Sequence, residues 1–338
     1  MSTRLYQPVS PDHLQSASND MSAAVHSRIA EQMRDCTLCP RNCHVDRLSG
    51  QYGYCGQTSE IRAARASLHM WEEPCISGSA GSGTVFFSGC NLKCVFCQNH
   101  NIAIGKAGQP VTIQHLADIF LSLQDKGANN INLVTPSHFV PQICESLALA
   151  KSQGLTLPVV YNTGSYENVE TLMLLDGLVD VYLPDLKYYS PVLSLQYSHA
   201  ADYFEKASDA IAEMFRQVGR PVFSSESGIM TRGVIVRHLL LPGQVKDSKK
   251  ILRYLHTTYG NDIYISIMNQ YTPLPHVDTI PELNRKVSAE EYERVLDFAL
   301  RIGIENGFFQ EGEAASESFI PEFDGSGLLS FITALLLS

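Results

Sequence analysis

Thr84-Val-Phe-Phe-Ser-Gly-Cys-Asn-Leu-Lys-Cys-Val-Phe-Cys-Gln-Asn-His100 is the stretch around which the chain is organised. Its apolar, β-prone start, Val85 to Phe87, predicts a short strand. The strand empties into a loop carrying Cys90, Cys94 and Cys97 at C-x3-C-x2-C spacing. Three thiolates this close on one loop can face a single inorganic body, because soft sulfur ligands favour zinc, copper(I) or iron–sulfur clusters. A cubane 4Fe-4S cluster held by three cysteines keeps one iron without a protein ligand, and that iron is open to chemistry. The same cysteines would also serve as reduced thiols, or as most of a zinc knuckle.

A second group lies upstream. Cys36-Thr-Leu-Cys39-Pro-Arg-Asn-Cys43 followed by Cys55 reads C-x2-C-x3-C-x11-C, with Gly50, Gly53 and Gly56 permitting tight turns around the last member. Four thiolates suit a closed tetrahedral zinc site or a fully ligated iron–sulfur cluster, and the spacing does not choose between them. Cys75 and Cys144 fall outside both groups and read as buried thiols. Before the first group, Met21, Val25, Ile29 and Met33 repeat every four positions and predict one apolar helical stripe.

Beyond the central loop, strand and helix patterns alternate. Strands are expected over 131–135, 157–161, 179–183, 233–241, 263–268 and 308–309. Between them, Thr112 caps a helix presenting Leu116, Ile119, Phe120 and Leu123, and Ser288 with Glu291 forms a capping box for a helix running through Leu300. Further helices are expected over Ile143 and Leu147, around 169–175, and over 203–218 and 248–258. Residues 61–70 read as a connecting segment and Gly78 to Gly83 as a flexible lead-in. The glycines there lack the Gly-Lys-Ser/Thr of a phosphate loop and precede a strand instead of following one. Strands separated by helices of this length imply βαβ units and an α/β fold, a partial or complete parallel β/α barrel. The expected division is a Cys-rich extension over 1–60, a barrel over 61–325 and an apolar tail over 326–338. The segment between Leu186 and Tyr203 is the longest excursion, a candidate lid or partner surface.

In such barrels functional groups gather at the C-terminal ends of the strands. The expected tips carry Thr135-Pro-Ser-His138, Asn162-Thr163, Asp185 with Lys187, Arg237-His238 and Asn269-Gln270-Tyr271. His69 and Glu72 are also within reach, although an isolated His or Glu is more often a surface or satisfied core residue.

Three features resemble one family. The C-x3-C-x2-C loop with Phe96 just before its third cysteine resembles the signature of the radical S-adenosylmethionine (SAM) superfamily. Val160-Tyr-Asn162-Thr163-Gly164, Leu183-Pro-Asp185-Leu-Lys187 and Ile235-Val-Arg237-His-Leu-Leu-Leu-Pro-Gly243 resemble strand-end motifs of its pyruvate formate-lyase activating enzyme group, over roughly residues 84–310. The upstream cysteines, Glu72-Glu73-Pro74 and Phe86-Phe-Ser-Gly-Cys90 are similar to an activating-enzyme-like subgroup. The resemblance implies a 4Fe-4S cluster on Cys90, Cys94 and Cys97, with SAM chelating the open iron. Thr135, Asn162, Asp185, Lys187 and Arg237 then hold SAM or line its pocket. It implies reductive cleavage to a 5′-deoxyadenosyl radical, a glycyl radical enzyme as protein substrate, and an electron donor such as a flavodoxin or ferredoxin. No residue is assigned as a catalytic acid or base. Two departures are visible. Val134-Thr-Pro-Ser-His138 stands where the activating enzymes have a Gly-Gly-Glu-Pro-type motif gripping the SAM amino group, and small activating enzymes lack the four-cysteine extension. A radical SAM enzyme acting on a small molecule or peptide side chain, and a non-catalytic zinc or redox module, are the competing readings.

Composition narrows the field. Of 338 residues, 44% are hydrophobic and 18% charged, a globular balance, and the formal net charge of −10 argues against a surface that coats nucleic acid. The first 20 residues are polar with no apolar signal core, and no apolar run reaches the ~20 residues needed to cross a bilayer. Nine cysteines in such a chain suit metal ligation in a reducing compartment, so the expected location is the cytoplasm without membrane contact.

Overall fold

The computed structural model describes residues 31–309 and 321–328. The stripe positions Met21, Val25 and Ile29 and the tail beyond 328 lie outside them; Met33 is buried beside Cys36 and Leu38.

Ten strands form one sheet: β1 (Ile61–His69), β2 (Ser82–Phe87), β3 (Gln109–Val111), β4 (Ile131–Val134), β5 (Val159–Thr163), β6 (Val181–Pro184), β7 (Val222–Phe223), β8 (Met230–Leu239), β9 (Tyr264–Met268) and β10 (Gly307–Phe309). The order is β10-β9-β8-β6-β5-β4-β2-β1-β3, with β7 beside β8. From β2 to β10 the main path is parallel throughout. The path is open, so the α/β fold is a partial barrel. The main helices are α1 (Ile113–Asp125), α2 (Val140–Ser152), α3 (Pro191–Ser198), α4 (Tyr203–Val218), α5 (Val245–Tyr259) and α6 (Ala289–Arg301). β2, β4, β5 and β6 are buried along their whole length, as expected of parallel strands covered on both faces.

The helix signals hold in detail. Thr112 Oγ1 accepts the His115 amide at 3.1 Å. Ser288 and Glu291 form a reciprocal capping box, and Glu291 also accepts from the Gly243 amide and pairs with Arg285.

Two expectations need correction. Residues 61–70 are not a connector: β1 pairs antiparallel with β2 and β3. Its signal is weak because alanine has low β propensity and a bulge between Ala63 and Arg65 breaks the alternation. The supposed flexible lead-in, Gly78 to Gly83, caps a helical turn, Pro74–Ser77, with Gly78 and runs into the start of β2. The excursion after Leu186, read as a candidate lid or partner surface, is seated in this structure: α3 packs against the cysteine loop, the Val95 amide donating to Tyr197 O at 2.9 Å.

Gly83 shows how tightly β2 is seated. A Cβ there would meet Asn130 O at 2.9 Å and the Cβ atoms of Leu123 and Ala128 at 3.0 Å. Gly83→Ala is therefore expected to lower unfolding free energy by about 1–2 kcal/mol, overpacking outweighing the entropy gained in the unfolded chain. Equilibrium denaturation of the two proteins checks this, and an unchanged midpoint contradicts it.

Candidate functional site

β2 delivers its loop to the C-terminal edge of the parallel strands, where a cavity of about 240 Å3 opens. Gly89 makes the turn at φ +88°, and a Cβ there would strike Cys55 O at 2.7 Å; only glycine fits this approach. Leu92 is buried, and Phe96 sits edge-on to Tyr188, Tyr197 and Tyr271 with centroids 6.2–6.4 Å apart. Ser198 Oγ donates to Cys94 Sγ at 3.0 Å, and the Leu92 amide donates to Cys90 Sγ at 3.3 Å. Burial pushes the Cys90 and Cys97 thiols up, so a cation is needed to hold them as thiolates. Among the described residues no three Cys, His, Asp or Glu side chains are gathered at metal-ligand distance, those of this loop included. The fit to a cluster rests on the donor set: three soft sulfurs on one buried loop facing one cavity.

All eight residues singled out from sequence line this cavity: Cys90, Cys94, Cys97, Thr135, Asn162, Asp185, Lys187 and Arg237. Opposite the cysteines, Asp185 is the centre of a buried ionic group. It accepts from Arg237 Nε at 2.9 Å and from Lys187 Nζ at 2.5 Å. Arg237 also donates to Asn162 Oδ1 at 2.6 Å and reaches Glu72 at 3.4 Å. Burial alone would raise the Asp185 carboxyl, but Arg237 and Lys187 outweigh it and hold it below the usual range. Burial likewise opposes charge on Lys187 and Arg237, and Asp185 restores it. Arg237, near the end of β8, and Lys187, just beyond β6, thus sit with Asp185, held by one another, while Glu72 approaches Arg237 from the segment after β1. Lys187 keeps two N–H donors beyond its Asp185 bond, and Asn162 keeps its amide NH2.

Thr135 ends β4 at φ +58°, a strained conformation for a β-branched residue. Its amide is held by Asn162 O at 2.9 Å. The turn brings Ser137 onto Glu167, a buried carboxyl that sequence reasoning missed. Glu167 Oε1 accepts hydroxyls from Ser137 at 2.5 Å, from Tyr161 at 3.3 Å and from Thr163. A hydroxyl that donates its single proton can only accept elsewhere. Ser137 and Thr163, which line the cavity, therefore present lone pairs to it. Burial pushes the Glu167 carboxyl up to about 7 despite these donors.

Other residues divide cleanly. His69 and Glu72 line the cavity, and Gln270 joins them. His138 and His238 are core residues, bonded to Ser88 O at 2.7 Å and Leu186 O at 2.8 Å, and burial lowers them to about 3 and about 4. Cys75 and Cys144 are half-buried thiols pushed up to about 12 by burial. No helix among the described residues is long and apolar enough to cross a membrane.

An open parallel β/α barrel with a three-cysteine loop after its first parallel strand and a polar cavity at its strand tips defines a cluster-bearing barrel class. The radical SAM superfamily profile matches residues 84–255, half of the sequence, and the chain belongs to that superfamily. An uncharacterized protein of Methanocaldococcus jannaschii is 28% identical over 282 residues, 80% of this chain and 76% of the relative. Among solved structures, Streptococcus suis SuiB bound to precursor peptide SuiA superposes at TM-score 0.46 with 13% identity, over 66% of this chain and 46% of SuiB. The chain thus spans under half the length of SuiB. A domain of pyruvate-formate lyase-activating enzyme from Bacteroides vulgatus gives TM-score 0.37 and 14% identity, over 51% of this chain and 91% of the domain. With identities and scores this low, the assignment rests on the profile match.

Glu167 supplies a pH test with a definite sign. Its folded value, about 7, lies above the ordinary 4.5, so the folded state holds a proton that the unfolded state releases between those values. Stability from this group therefore falls as pH rises from 4.5 to 7, by about 3 kcal/mol in total. Glu167→Gln should remove that slope and be relatively more stable at pH 8 than at pH 5. Parallel denaturation curves for wild type and variant across this window would contradict the assignment.

Proposed function

We propose that the chain is a radical SAM enzyme that reductively cleaves SAM, acting as an activating enzyme that draws hydrogen from a glycyl radical enzyme partner. The supporting observation is that the three loop cysteines and the Asp185–Arg237–Lys187 group line one and the same cavity. When bound, the cluster and SAM supply one electron and a sulfonium C–S bond whose cleavage yields the 5′-deoxyadenosyl radical.

The chain's own residues bind and orient. Cys90, Cys94 and Cys97 hold the cluster by three corners. Lys187, anchored but with free N–H donors, faces the SAM carboxylate. Asn162 donates to ribose or carboxylate oxygens, its carbonyl being engaged by Arg237. Ser137 and Thr163 offer acceptors to the SAM amino group, the task that Gly-Gly-Glu-Pro performs in the activating enzymes. Thr135 sets the turn that places Ser137. Homolytic chemistry asks for no acid–base pair. Trp71, 67% exposed, lines the cavity, and Met70 beside it in sequence is also exposed. An exposed indole at an active-site rim suits a polypeptide partner. The acidic chain suits cytoplasmic work with a flavodoxin- or ferredoxin-type electron donor rather than nucleic acid.

A second reading, modification of a peptide side chain or small molecule, draws support from the missing Gly-Gly-Glu-Pro motif and the extra cysteines. Anaerobic SAM cleavage driven by dithionite should yield 5′-deoxyadenosine in wild type. Cys90→Ala should abolish it, while Lys187→Ala should keep its iron and bind SAM at least about tenfold more weakly, the size expected for a lost charge-assisted hydrogen bond. With a glycyl radical enzyme partner, a protein-centred paramagnetic doublet should appear. Deoxyadenosine without that doublet for every partner tried removes the activase reading, and absence of cleavage removes both.

A further inference from the structure

The four-cysteine segment upstream plays no part in the cavity; as in the loop, its side chains are not gathered at metal-ligand distance among the described residues, and what it offers is a donor set of four soft sulfurs on one short segment. Cys36, Cys39 and Cys55 are buried and Cys43 half-buried. The backbone folds the segment on itself: the His44 amide donates to Cys36 O at 3.1 Å, the Asn42 amide donates to Cys39 O at 3.0 Å, and a Cβ on Gly53, two residues before Cys55, would lie 3.2 Å from Cys43 Sγ. An amide points at one of the sulfurs: Tyr54 N donates to Cys43 Sγ at 3.2 Å. Such N–H···S bonds favour sulfur in its anionic form.

The independent observation is Arg47. It is fully buried, and its Nη1 has no hydrogen-bond partner. Its other nitrogens reach only Thr58 O, at 3.2 and 2.6 Å, and its guanidinium lies 5.8 Å from the Phe139 ring. Neutral His138 is nearby, and no carboxylate pairs with Arg47 among the described residues. A buried guanidinium with no anion is costly. The group within its electrostatic reach that can carry negative charge is the Cys55 sulfur. Four thiolates around a soft metal remain net negative, which makes them a fitting counter-charge.

We propose that Cys36, Cys39, Cys43 and Cys55 hold a tetrathiolate metal centre, with buried Arg47 as its counter-cation. Each thiol releases its proton to solvent as Zn2+ binds, or as a preassembled 4Fe-4S cluster is transferred onto the four sulfurs, and neither event changes an oxidation state. The centre is also a brace for the cavity. Arg41, two residues from Cys39, stacks on Tyr54 and donates to Asn91 O at 2.8 Å, Ser198 O at 2.9 Å and His199 O. Asn91 in turn donates to Tyr166 O at 2.6 Å. Asn91 follows Cys90, and Ser198 donates to Cys94, so order at the upstream site is transmitted to the loop of the catalytic cluster.

The inference stands apart from the proposed reaction, and its test is run where that reaction is removed. The full-length Cys90→Ala/Cys94→Ala/Cys97→Ala protein, purified anaerobically and shown folded by circular dichroism, has only the upstream set as a multi-cysteine group. It should retain about one zinc per chain, or about four irons with matching acid-labile sulfide. Either metal supports the centre and distinguishes a brace from an additional electron carrier. A folded protein carrying neither metal, with Cys36, Cys39, Cys43 and Cys55 all alkylated under native conditions, overturns it. In the same background Arg47→Met, which keeps the volume and deletes the charge, should lose metal to a chromogenic chelator at least about tenfold faster. An unchanged release rate overturns the role given to Arg47.

Discussion

Asp185 is the charge on which the cavity depends. It stands where the β6–β8 ladder ends, one lone bridge to Arg237 extending the pairing beyond Tyr182 and Val234. An ionised carboxylate there is tolerable only because Arg237 and Lys187 grip its two oxygens. Removing either cation would expose the remaining charges to an environment that does not solvate them. The arrangement is therefore preorganised: the donors that face the cavity are fixed by bonds among themselves before any ligand arrives. Asn162 and Glu72, held by the same arginine, are tied into that order.

The opposite wall is held by packing. Phe96 is fixed among three tyrosines, and α3 presses Tyr197 O and Ser198 Oγ onto the loop. Arg41 reaches across from the upstream cysteines to the same loop and the same helix end. A soft-ligand wall and an ionic wall thus face one another on a scaffold whose strands run fully buried.

Much of this was legible in the residues. The cysteine loop, the βαβ alternation, the caps at Thr112 and Ser288, and the polar tips Asn162, Asp185, Lys187 and Arg237 all carry local signals: fixed spacing, period, or polarity at the end of an apolar run. Strand boundaries shifted by up to three residues. β1 was hidden by its alanines and its bulge. α3 read as a candidate lid or partner surface because its contacts with Val95 and Cys94 are about 100 positions away in sequence, and no local pattern reports them. Glu167 and Arg47 were invisible for a related reason. A single Glu or Arg reads as surface, and only the fold shows that one gathers three hydroxyls and the other is sealed from water.

The account's central claim is that one iron of the loop-bound cluster lacks a protein ligand and lies beside the Asp185 group. Electron–nuclear double resonance on the reduced protein, using SAM isotopically labelled at its methionyl nitrogen, tests this directly. The account predicts a hyperfine coupling from that nitrogen to the cluster, present in wild type and lost when SAM is omitted. A fully reduced cluster showing no coupling at saturating SAM would contradict it.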